Sequence, residues 1–166
     1  MLQSVDVMVE QMPHAAGLPL PAYVTAGSAG LDLTAAIDGS ITLAPGERAL
    51  VPTGLRIAVP PGFEAQVRAR SGLSLQRGLG VPNAPGTIDS DYRGEVGVLL
   101  INWSAERQTI WRGDRIAQLV VAPVVRVSWA PCEHLPPSDR GSGGFGHSGV
   151  QRLETTQDGV KDGGVP

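Results

Sequence analysis

The segment Asn83-Ala-Pro-Gly-Thr-Ile-Asp-Ser-Asp-Tyr-Arg-Gly94 and the apolar run Val96-Gly-Val-Leu-Leu-Ile101 that follows it decide the fold. Pro85 and Gly86 exclude a helix in the segment, because proline lacks a backbone donor and glycine favours turns. The apolar run predicts a buried strand, so the segment before it is expected to form a hairpin on a rigid sheet. Loops held in this way often carry functional residues, and this one contains two carboxylates, a phenol and a guanidinium. The two aspartates could instead only stabilise turns.

The rest of the chain has the pattern of an all-β protein. Apolar or alternating runs, which are typical of strands, occupy residues 5–9, 48–59, 63–67, 96–101 and 116–127. Turn-forming sequences with glycine or proline separate them at residues 44–46, 52–54, 60–62, 82–86 and 112–114. The 22 glycines and 14 prolines agree with this pattern, because both residues weaken helix interiors. We expect a β-sandwich or β-barrel with one short helix over residues 71–77, capped by Ser71.

Length, charge and cysteine content limit the function classes. A chain of 166 residues can bury the core of one domain without a disulfide or a metal staple. Its 13 basic and 16 acidic residues argue against nucleic-acid binding through many phosphates, but not against a small anionic ligand. Cys132 is the only cysteine, and the three histidines lack the spacing of a zinc site. The lack of a signal peptide and of a long apolar run predicts a cytoplasmic protein without a membrane partner.

The composition changes near residue 137. We expect a β domain over residues 1–137, a flexible glycine-rich arm over residues 138–149 and a disordered tail over residues 150–166. The arm contains Arg140-Gly-Ser-Gly-Gly-Phe-Gly146, which matches the dinucleotide-binding string Gly-x-Gly-x-x-Gly but lacks the strand and helix that this string needs. It could be a flexible linker. A linker does not explain Arg140 and Phe145, which could close over a phosphate and stack on a base.

Three further clusters combine polar groups with strand ends. Arg70, Ser71 and Gly72 place a guanidinium, a hydroxyl and a flexible backbone where an oxyanion could bind, although a capped turn with solvated arginines is an alternative. The stretch Gly113-Asp-Arg-Ile-Ala-Gln118 puts charges and an amide at a strand start, where a turn and a surface ion pair are equally possible. Asp32 lies between two leucines and needs a partner, either an arginine or a metal.

Taken together, five segments resemble the five motifs of the trimeric dUTPases in order and spacing. They are residues 29–33, 70–73, 83–94, 113–118 and 140–146, and the resemblance covers residues 23–149. The third and fifth segments are the most specific, and the fifth looks like the bacterial form. The resemblance implies a β jelly roll, a homotrimer with shared active sites, and the Mg²⁺-dependent hydrolysis of dUTP to dUMP and pyrophosphate. It also implies a role in limiting uracil incorporation into DNA and in supplying dUMP for thymidylate synthesis.

The resemblance assigns a role to residues in each motif. Asp89 would be the general base that activates a water for in-line attack on the α-phosphorus. Tyr92 would lie beneath the deoxyribose, where its ring excludes a ribose 2′-hydroxyl. Asp32 would lie near the water shell of the Mg²⁺, whose inner ligands would be mainly substrate phosphates. The other substrate-binding residues would be Asn83, Thr87, Ile88 and Gly97 for the uracil, Arg70, Ser71, Gly72 and Gln118 for the phosphates, and Arg140 and Phe145 in the arm that closes over the γ-phosphate and the base.

General chemistry makes this mechanism reasonable without the resemblance. A triphosphate repels an attacking water unless cations neutralise its charge and bulk solvent is excluded. Mg²⁺ prefers oxygen ligands and keeps several waters, so few protein carboxylates are required. An arm that orders on the nucleotide would complete the site only after the substrate has been selected.

Two alternatives belong to other classes. A dCTP deaminase has a similar fold, but its chemistry needs a glutamate over the pyrimidine ring. A non-catalytic nucleotide-binding regulatory module would bind dUTP and signal through a partner. The segment around Asp89 and the glycine-rich arm favour the hydrolase.

Overall fold

The computed structural model describes residues 4–145 and 147. The chain divides into two units, Met1–Arg126 and Val127–Pro166. The described part of the first unit contains ten strands, one α-helix and a short 3-10 helix at Pro13–Ala15. The elements are β1 (Met8–Gln11), β2 (Leu31–Thr34), β3 (Ser40–Leu43), β4 (Arg48–Ala58), β5 (Phe63–Arg68), α1 (Ser71–Arg77), β6 (Leu79–Gly80), β7 (Gly86–Ile88), β8 (Glu95–Asn102), β9 (Gln108–Trp111) and β10 (Arg115–Pro123).

Two four-stranded antiparallel sheets and one two-stranded sheet form the first unit. The first sheet has the strand order β1-β4-β8-β6, the second has the order β2-β10-β5-β7, and β3 pairs with β9. In the second sheet Ala65 of β5 pairs with Ile88 of β7. On the other side of β5, Gln118 of β10 lies opposite Arg68. β7, which belongs to the segment of residues 83–94, and β10, which carries Gln118, therefore flank β5 on opposite sides.

Inward-facing side chains from both four-stranded sheets pack into one hydrophobic core. β8 alternates between buried and partly exposed residues along its whole length, as expected of a strand with one face in the core. Its inward face consists of Val96, Val98 and Leu100, each at most 2% exposed. Apolar burial stabilises the fold by about 25 cal/mol per Å². The core therefore holds β8 in a fixed position. The end of the segment of residues 83–94, which directly precedes β8, is fixed with it.

The predicted all-β, jelly-roll-like sandwich with one short helix is confirmed, and α1 spans the predicted residues. The prediction that Ser71 caps this helix is wrong. Arg70 occupies the N-cap position, and no side-chain hydrogen bond caps α1. The hydroxyl of Ser71 is therefore not committed to helix capping. Among the described residues, no helix is long and apolar enough to cross a membrane.

The turn predicted at residues 52–54 is also wrong. β4 continues through these residues, and its register against β8 shifts between Pro52 and Arg56. Gly54 adopts a φ of +67°, a left-handed conformation that other residues disfavour. The irregularity is a β-bulge, which uses the same residue types as a turn but keeps the strand paired on both sides.

The second unit contains no strand or helix among its described residues, 127–145 and 147. Arg140 donates hydrogen bonds to the carbonyls of Gly143 and Gly144, at 2.8 and 3.2 Å, and so contacts its own turn. Residues 146, 148 and 149 of the predicted arm and the predicted tail over residues 150–166 lie outside the described residues. The domain boundaries expected near residues 137 and 149 stay predictions.

Candidate active site

The segment of residues 83–94 lines a cavity of about 180 Å³. The prediction that it forms a hairpin is wrong, because β7 pairs with β5 in the second sheet, whereas the following strand β8 belongs to the first sheet. Thr87, Ile88 and Asp89 line one part of this cavity, and Tyr92 and the first residues of β8 line another. Ile88 is buried and paired with Ala65, so β5 anchors the segment to the sheet. The polar side chains are therefore presented to the cavity from a rigid support.

Asp89 is exposed at the edge of this cavity. Its backbone carbonyl accepts a hydrogen bond from the amide of Tyr92 at 3.1 Å, which closes a turn. Within residues 4–145 and 147, no side chain or backbone group bonds to its carboxylate. The carboxylate therefore does not stabilise the turn, and its lone pairs are available to a bound water. Such a group can act as a general base.

The position of Tyr92 is fixed by contacts of its hydroxyl and of the backbone next to it. Its hydroxyl donates to the carbonyl of Glu95 at 3.0 Å and lies so close to Gly94 that any side chain there would overlap it. Nε of Arg56 in β4 donates to the carbonyl of Arg93 at 2.7 Å, which ties the loop to the first sheet. The Tyr92 side chain is still 44% exposed. An exposed part of the ring thus remains available to a ligand.

Gly97 lines the same cavity, whereas Asn83 does not. A Cβ atom at position 97 would lie 2.7 Å from Cδ1 of Leu50, so the absence of a side chain makes room for this leucine. Asn83 is exposed, and its side-chain amide lies next to Gly86 at the start of β7. The structure thus brings one of these two predicted uracil-binding residues into the cavity and leaves the other outside its lining.

A second cavity, of about 380 Å³, contains the residues predicted to bind phosphates. Three of the five motif segments contribute to it, and two guanidiniums make its wall suitable for an anion. Its lining consists of Val24, Ser28, Ala29, Gly30, Asp32, Arg70, Ser71, Gly72, Arg115 and Gln118.

Asp32 bridges two arginines in the second cavity. Its Oδ1 accepts from Nε of Arg70 at 2.9 Å, and its Oδ2 accepts from Nη1 of Arg115 at 3.0 Å. Arg70 also donates to the carbonyl of Arg115 at 3.1 Å. The sequence left either an arginine or a metal open as the partner of Asp32. The structure shows two arginines in contact with its carboxylate. Because these pairs are partly solvated, their main effect is to orient the guanidiniums.

Gln118 is held in the second cavity from two sides. Its Nε2 donates to the carbonyl of Ala69 at 2.9 Å. Its Oε1 packs directly against Gly30, where a Cβ atom would overlap it. A Cβ atom at position 30 would therefore displace the end of the Gln118 side chain.

The two cavities lie towards opposite ends of β5. Arg70 follows the carboxyl end of this strand, whereas Asp89 comes directly after the Ile88–Ala65 pair near its amino end. At about 3.3 Å per residue, the five positions from Ala65 to Arg70 correspond to roughly 17 Å. One chain therefore does not bring Asp89 and Arg70 together around one triphosphate.

Arg115 and Glu95 line the cavities although the sequence predicted no site role for them. Arg115, expected at most to form a surface ion pair, lines the second cavity. Glu95 lines the first, where its Oε1 accepts from the amide of Gly54 at 2.7 Å and lies 2.9 Å from Nε2 of His14. These partners are 41 and 81 residues away in the sequence, and no local pattern reveals them.

Within the described residues, no group of three or more histidines, cysteines or acidic residues could hold a metal ion. Both oxygens of Asp32 already contact guanidiniums. A cation such as Mg²⁺ needs no such group, because it keeps its own waters and takes oxygen ligands from a bound phosphate.

The fold and the two cavities together define an all-β protein with the carboxylate of Asp89 exposed at one cavity and two guanidiniums lining the other. A family model described as dUTPase matches residues 16–149. A deoxyuridine 5′-triphosphate nucleotidohydrolase of Methylocella silvestris is 55% identical over 159 residues, which cover 95% of this chain and 99% of that protein. The chain belongs to the dUTPase family.

Solved structures of phage dUTPases have the same fold. A mutant Staphylococcus bacteriophage 80alpha dUTPase with dUpNHpp matches with a TM-score of 0.79 at 24% identity, covering 89% of this chain and 100% of that one. A mutant dUTPase from phage phi11 of S. aureus, whose structure concerns the coordination of a structural Mg(II) ion, matches with a TM-score of 0.69 at 22% identity over 78% of this chain and 98% of that one. At these identities the likeness shows the fold alone.

Proposed function

We propose that this chain hydrolyses dUTP to dUMP and pyrophosphate, with Asp89 as the general base. The observation that carries the proposal is the carboxylate of Asp89 beside a cavity, with no hydrogen-bond partner among residues 4–145 and 147, in a chain of the dUTPase family. Asp89 removes a proton from a water, whose oxygen attacks the α-phosphorus. The bond from this phosphorus to the oxygen that bridges to the β-phosphate breaks, and pyrophosphate leaves with the electron pair.

The first cavity selects the nucleoside. Thr87, Ile88 and Gly97 present the backbone that reads the uracil edge, with Asn83 at the start of the same segment as Thr87 and Ile88. The close approach of the backbone at Gly97 leaves no room for the methyl group of thymine. Tyr92 lies beneath the deoxyribose. This assignment is supported by the place of Gly97 in the lining of the cavity and by the exposed part of the Tyr92 ring.

The second cavity binds the phosphates through Arg70, Ser71, Gly72 and Gln118. The contacts of Asp32 with Arg70 and of Gln118 with the Ala69 carbonyl support this role, because preformed donors need no reorganisation when the anion arrives.

Mg²⁺ is the proposed cofactor. It supplies charge neutralisation at the phosphate oxygens when it is bound. Asp32 acts on it only indirectly, through water, because its two oxygens face arginines. The direct ligands of the Mg²⁺ would be oxygens of the substrate phosphates and of water.

A homotrimer with shared active sites is the proposed assembly. The roughly 17 Å between the two ends of β5 separates the parts of the site within one chain, so chains must combine to complete it. An exposed apolar surface supports this assembly. Leu50, which is 67% exposed, lies opposite Leu99 on the outward faces of β4 and β8.

The glycine-rich arm closes the site late in the reaction. Arg140 binds the γ-phosphate and Phe145 covers the base. The side chain of Phe145 is fully exposed, and a covered base would give it an apolar partner.

We place the reaction in the cytoplasm, where it limits uracil incorporation into DNA and supplies dUMP for thymidylate synthesis.

A panel of nucleoside triphosphates, assayed for pyrophosphate release with Mg²⁺, tests the proposal. We expect release from dUTP and little from dCTP, dTTP or UTP. Replacing Asp89→Asn should lower kcat by about 10²- to 10⁴-fold while nucleotide binding changes little, because the change removes the base and keeps the shape. Full activity of this variant would remove Asp89 from its role.

The same panel distinguishes the alternatives. Ammonia release from dCTP would support a deaminase. Binding of dUTP without pyrophosphate release would support a regulatory module.

A further inference from the structure

We infer that Glu95, held by His14 and by the bulge of β4, is a positioning residue that sets the preference for deoxyribose over ribose. The inference rests on the proposed function, in which Tyr92 lies beneath the sugar. Glu95 does not need to touch the substrate for this role. It acts through the tyrosine.

The carboxylate of Glu95 joins two elements that are distant in the sequence. Its Oε1 accepts from the amide of Gly54 at 2.7 Å and contacts Nε2 of His14 at 2.9 Å. The side chain of Glu95 is 26% exposed and that of His14 is 33% exposed, so water screens this pair only in part. One oxygen therefore fixes both the bulge and the 3-10 helix to the start of β8.

The backbone of Glu95 orients Tyr92. The tyrosine hydroxyl donates to the Glu95 carbonyl at 3.0 Å. Among the described residues, the hydroxyl makes no other hydrogen bond. The same residue thus holds the bulge with its side chain and the tyrosine with its main chain. A shift of the first residue of β8 would move the acceptor of the tyrosine hydroxyl, and the ring would follow.

The partners of Glu95 are themselves anchored. The carbonyl of Gly54 accepts from the amide of Met12 at 2.7 Å, and the carbonyl of His14 accepts from Arg112 at 2.8 Å. Next to Glu95, the carbonyl of Val96 accepts from the buried hydroxyl of Thr53 at 2.6 Å. These contacts give Glu95 a rigid support, which a positioning residue requires.

The expected consequence concerns substrate choice more than turnover. The tyrosine excludes a 2′-hydroxyl only if its ring is held close to the sugar. A looser ring tolerates ribose and contributes less to deoxyribose binding. The carboxylate of Asp89 keeps its place, because β7 and β5 hold it independently of Glu95.

The test compares kcat/KM for dUTP and UTP. Glu95→Ala should lower the dUTP:UTP ratio on the order of tenfold, with a larger change in KM than in kcat, because small displacements in a site have large effects. His14→Ala should lower the ratio by a smaller factor. Glu95→Gln keeps an oxygen at the place of Oε1, which can accept from both the Gly54 amide and the imidazole, so it should restore most of the preference. The double variant with His14→Ala and Glu95→Ala should be no worse than Glu95→Ala alone.

Glu47→Ala is the matched control. Glu47 also uses a carboxylate to accept a backbone amide, that of Ala44 at 2.8 Å, but it lies in the turn between β3 and β4 and lines neither cavity. Its removal should leave the dUTP:UTP ratio unchanged.

An unchanged ratio in folded Glu95→Ala would overturn the inference while leaving the proposed function intact. Should Glu95→Ala fail to fold, as judged by circular dichroism, His14→Ala decides, and an unchanged ratio there has the same meaning. A wild-type protein that releases no pyrophosphate from dUTP would reject both the proposed function and the inference.

Discussion

At the scale of single residues, several glycines keep room for a neighbouring functional group. A side chain at position 94 would overlap the hydroxyl of Tyr92, and one at position 30 would overlap the amide of Gln118. At position 97 it would press on Leu50. The sequence shows these glycines within motifs, but only the structure gives the neighbour that each one accommodates. Each glycine can therefore be tested through its neighbour.

Gly30→Ala should weaken substrate binding. The new methyl group displaces the Gln118 side chain, and losing one hydrogen bond to a phosphate costs about 1 kcal/mol, or roughly fivefold in KM, with a smaller effect on kcat. Steady-state kinetics with dUTP measure both constants.

The control for this change is Gly27→Ala. A Cβ atom at position 27 would meet no atom within 4 Å beyond its immediate chain neighbours, and the φ of Gly27 is not positive, so alanine fits there. We expect wild-type kinetics. Equal KM values for both alanine variants would show that the position of Gln118 does not matter for binding.

At the scale of secondary-structure elements, the sequence predicted what depends on local pattern. The apolar run of β8 and the span of α1 were predicted correctly, because alternation and turn residues specify them locally. The bulge of β4 was not, because Pro-Thr-Gly is equally suited to a turn, and only the pairing with β8 decides between them. The two arginine partners of Asp32 could not be predicted either, because the register between β2 and β10 brings Arg115 to it.

Gly54→Ala should strongly destabilise the fold. The residue has a φ of +67°, and a Cβ atom there would overlap the side chain of Ala15. The left-handed conformation costs about 1 to 2 kcal/mol and overpacking about 1 to 3 kcal/mol more, so we expect a loss of roughly 2 to 5 kcal/mol. Urea unfolding measures the change.

Gly62→Ala separates the two contributions. Gly62 also has a positive φ, of +88°, but a Cβ atom there has open space. Only the backbone term of about 1 to 2 kcal/mol should remain. If Gly62→Ala proved as destabilising as Gly54→Ala, the packing of the bulge against Ala15 would have no part in stability.

At the scale of the whole molecule, the chain carries all five motifs, and motif residues of the first unit line two separate cavities. Asp89 and Tyr92 line one cavity, and Arg70 and Gln118 line another. The sequence shows the motifs as one ordered set and gives no sign of this separation, which depends on the register of β7 against β5. The proposed site, shared between chains, would reconcile the complete set of motifs with the separated cavities.

Truncation tests the part of the assembly that belongs to the arm. A chain ending at residue 139 should remain a folded trimer with little activity, because the arm contributes to closure and not to the core. A chain ending at residue 149 should keep full activity. Light scattering gives the oligomer and pyrophosphate release gives the activity, and loss of folding in the shorter chain would contradict the prediction.

Mixing two inactive variants tests whether sites are shared. Asp89→Asn and Arg70→Ala each disable every site of their own homotrimer. In a randomly mixed trimer, a shared site takes Asp89 from one chain and Arg70 from another, so both are intact in roughly a quarter of the sites at equal proportions. We therefore expect co-refolded variants to recover about a quarter of wild-type pyrophosphate release, whereas mixing without refolding should recover none. Complete sites within single chains would instead leave the co-refolded mixture inactive, because each chain would still carry one of the two defects.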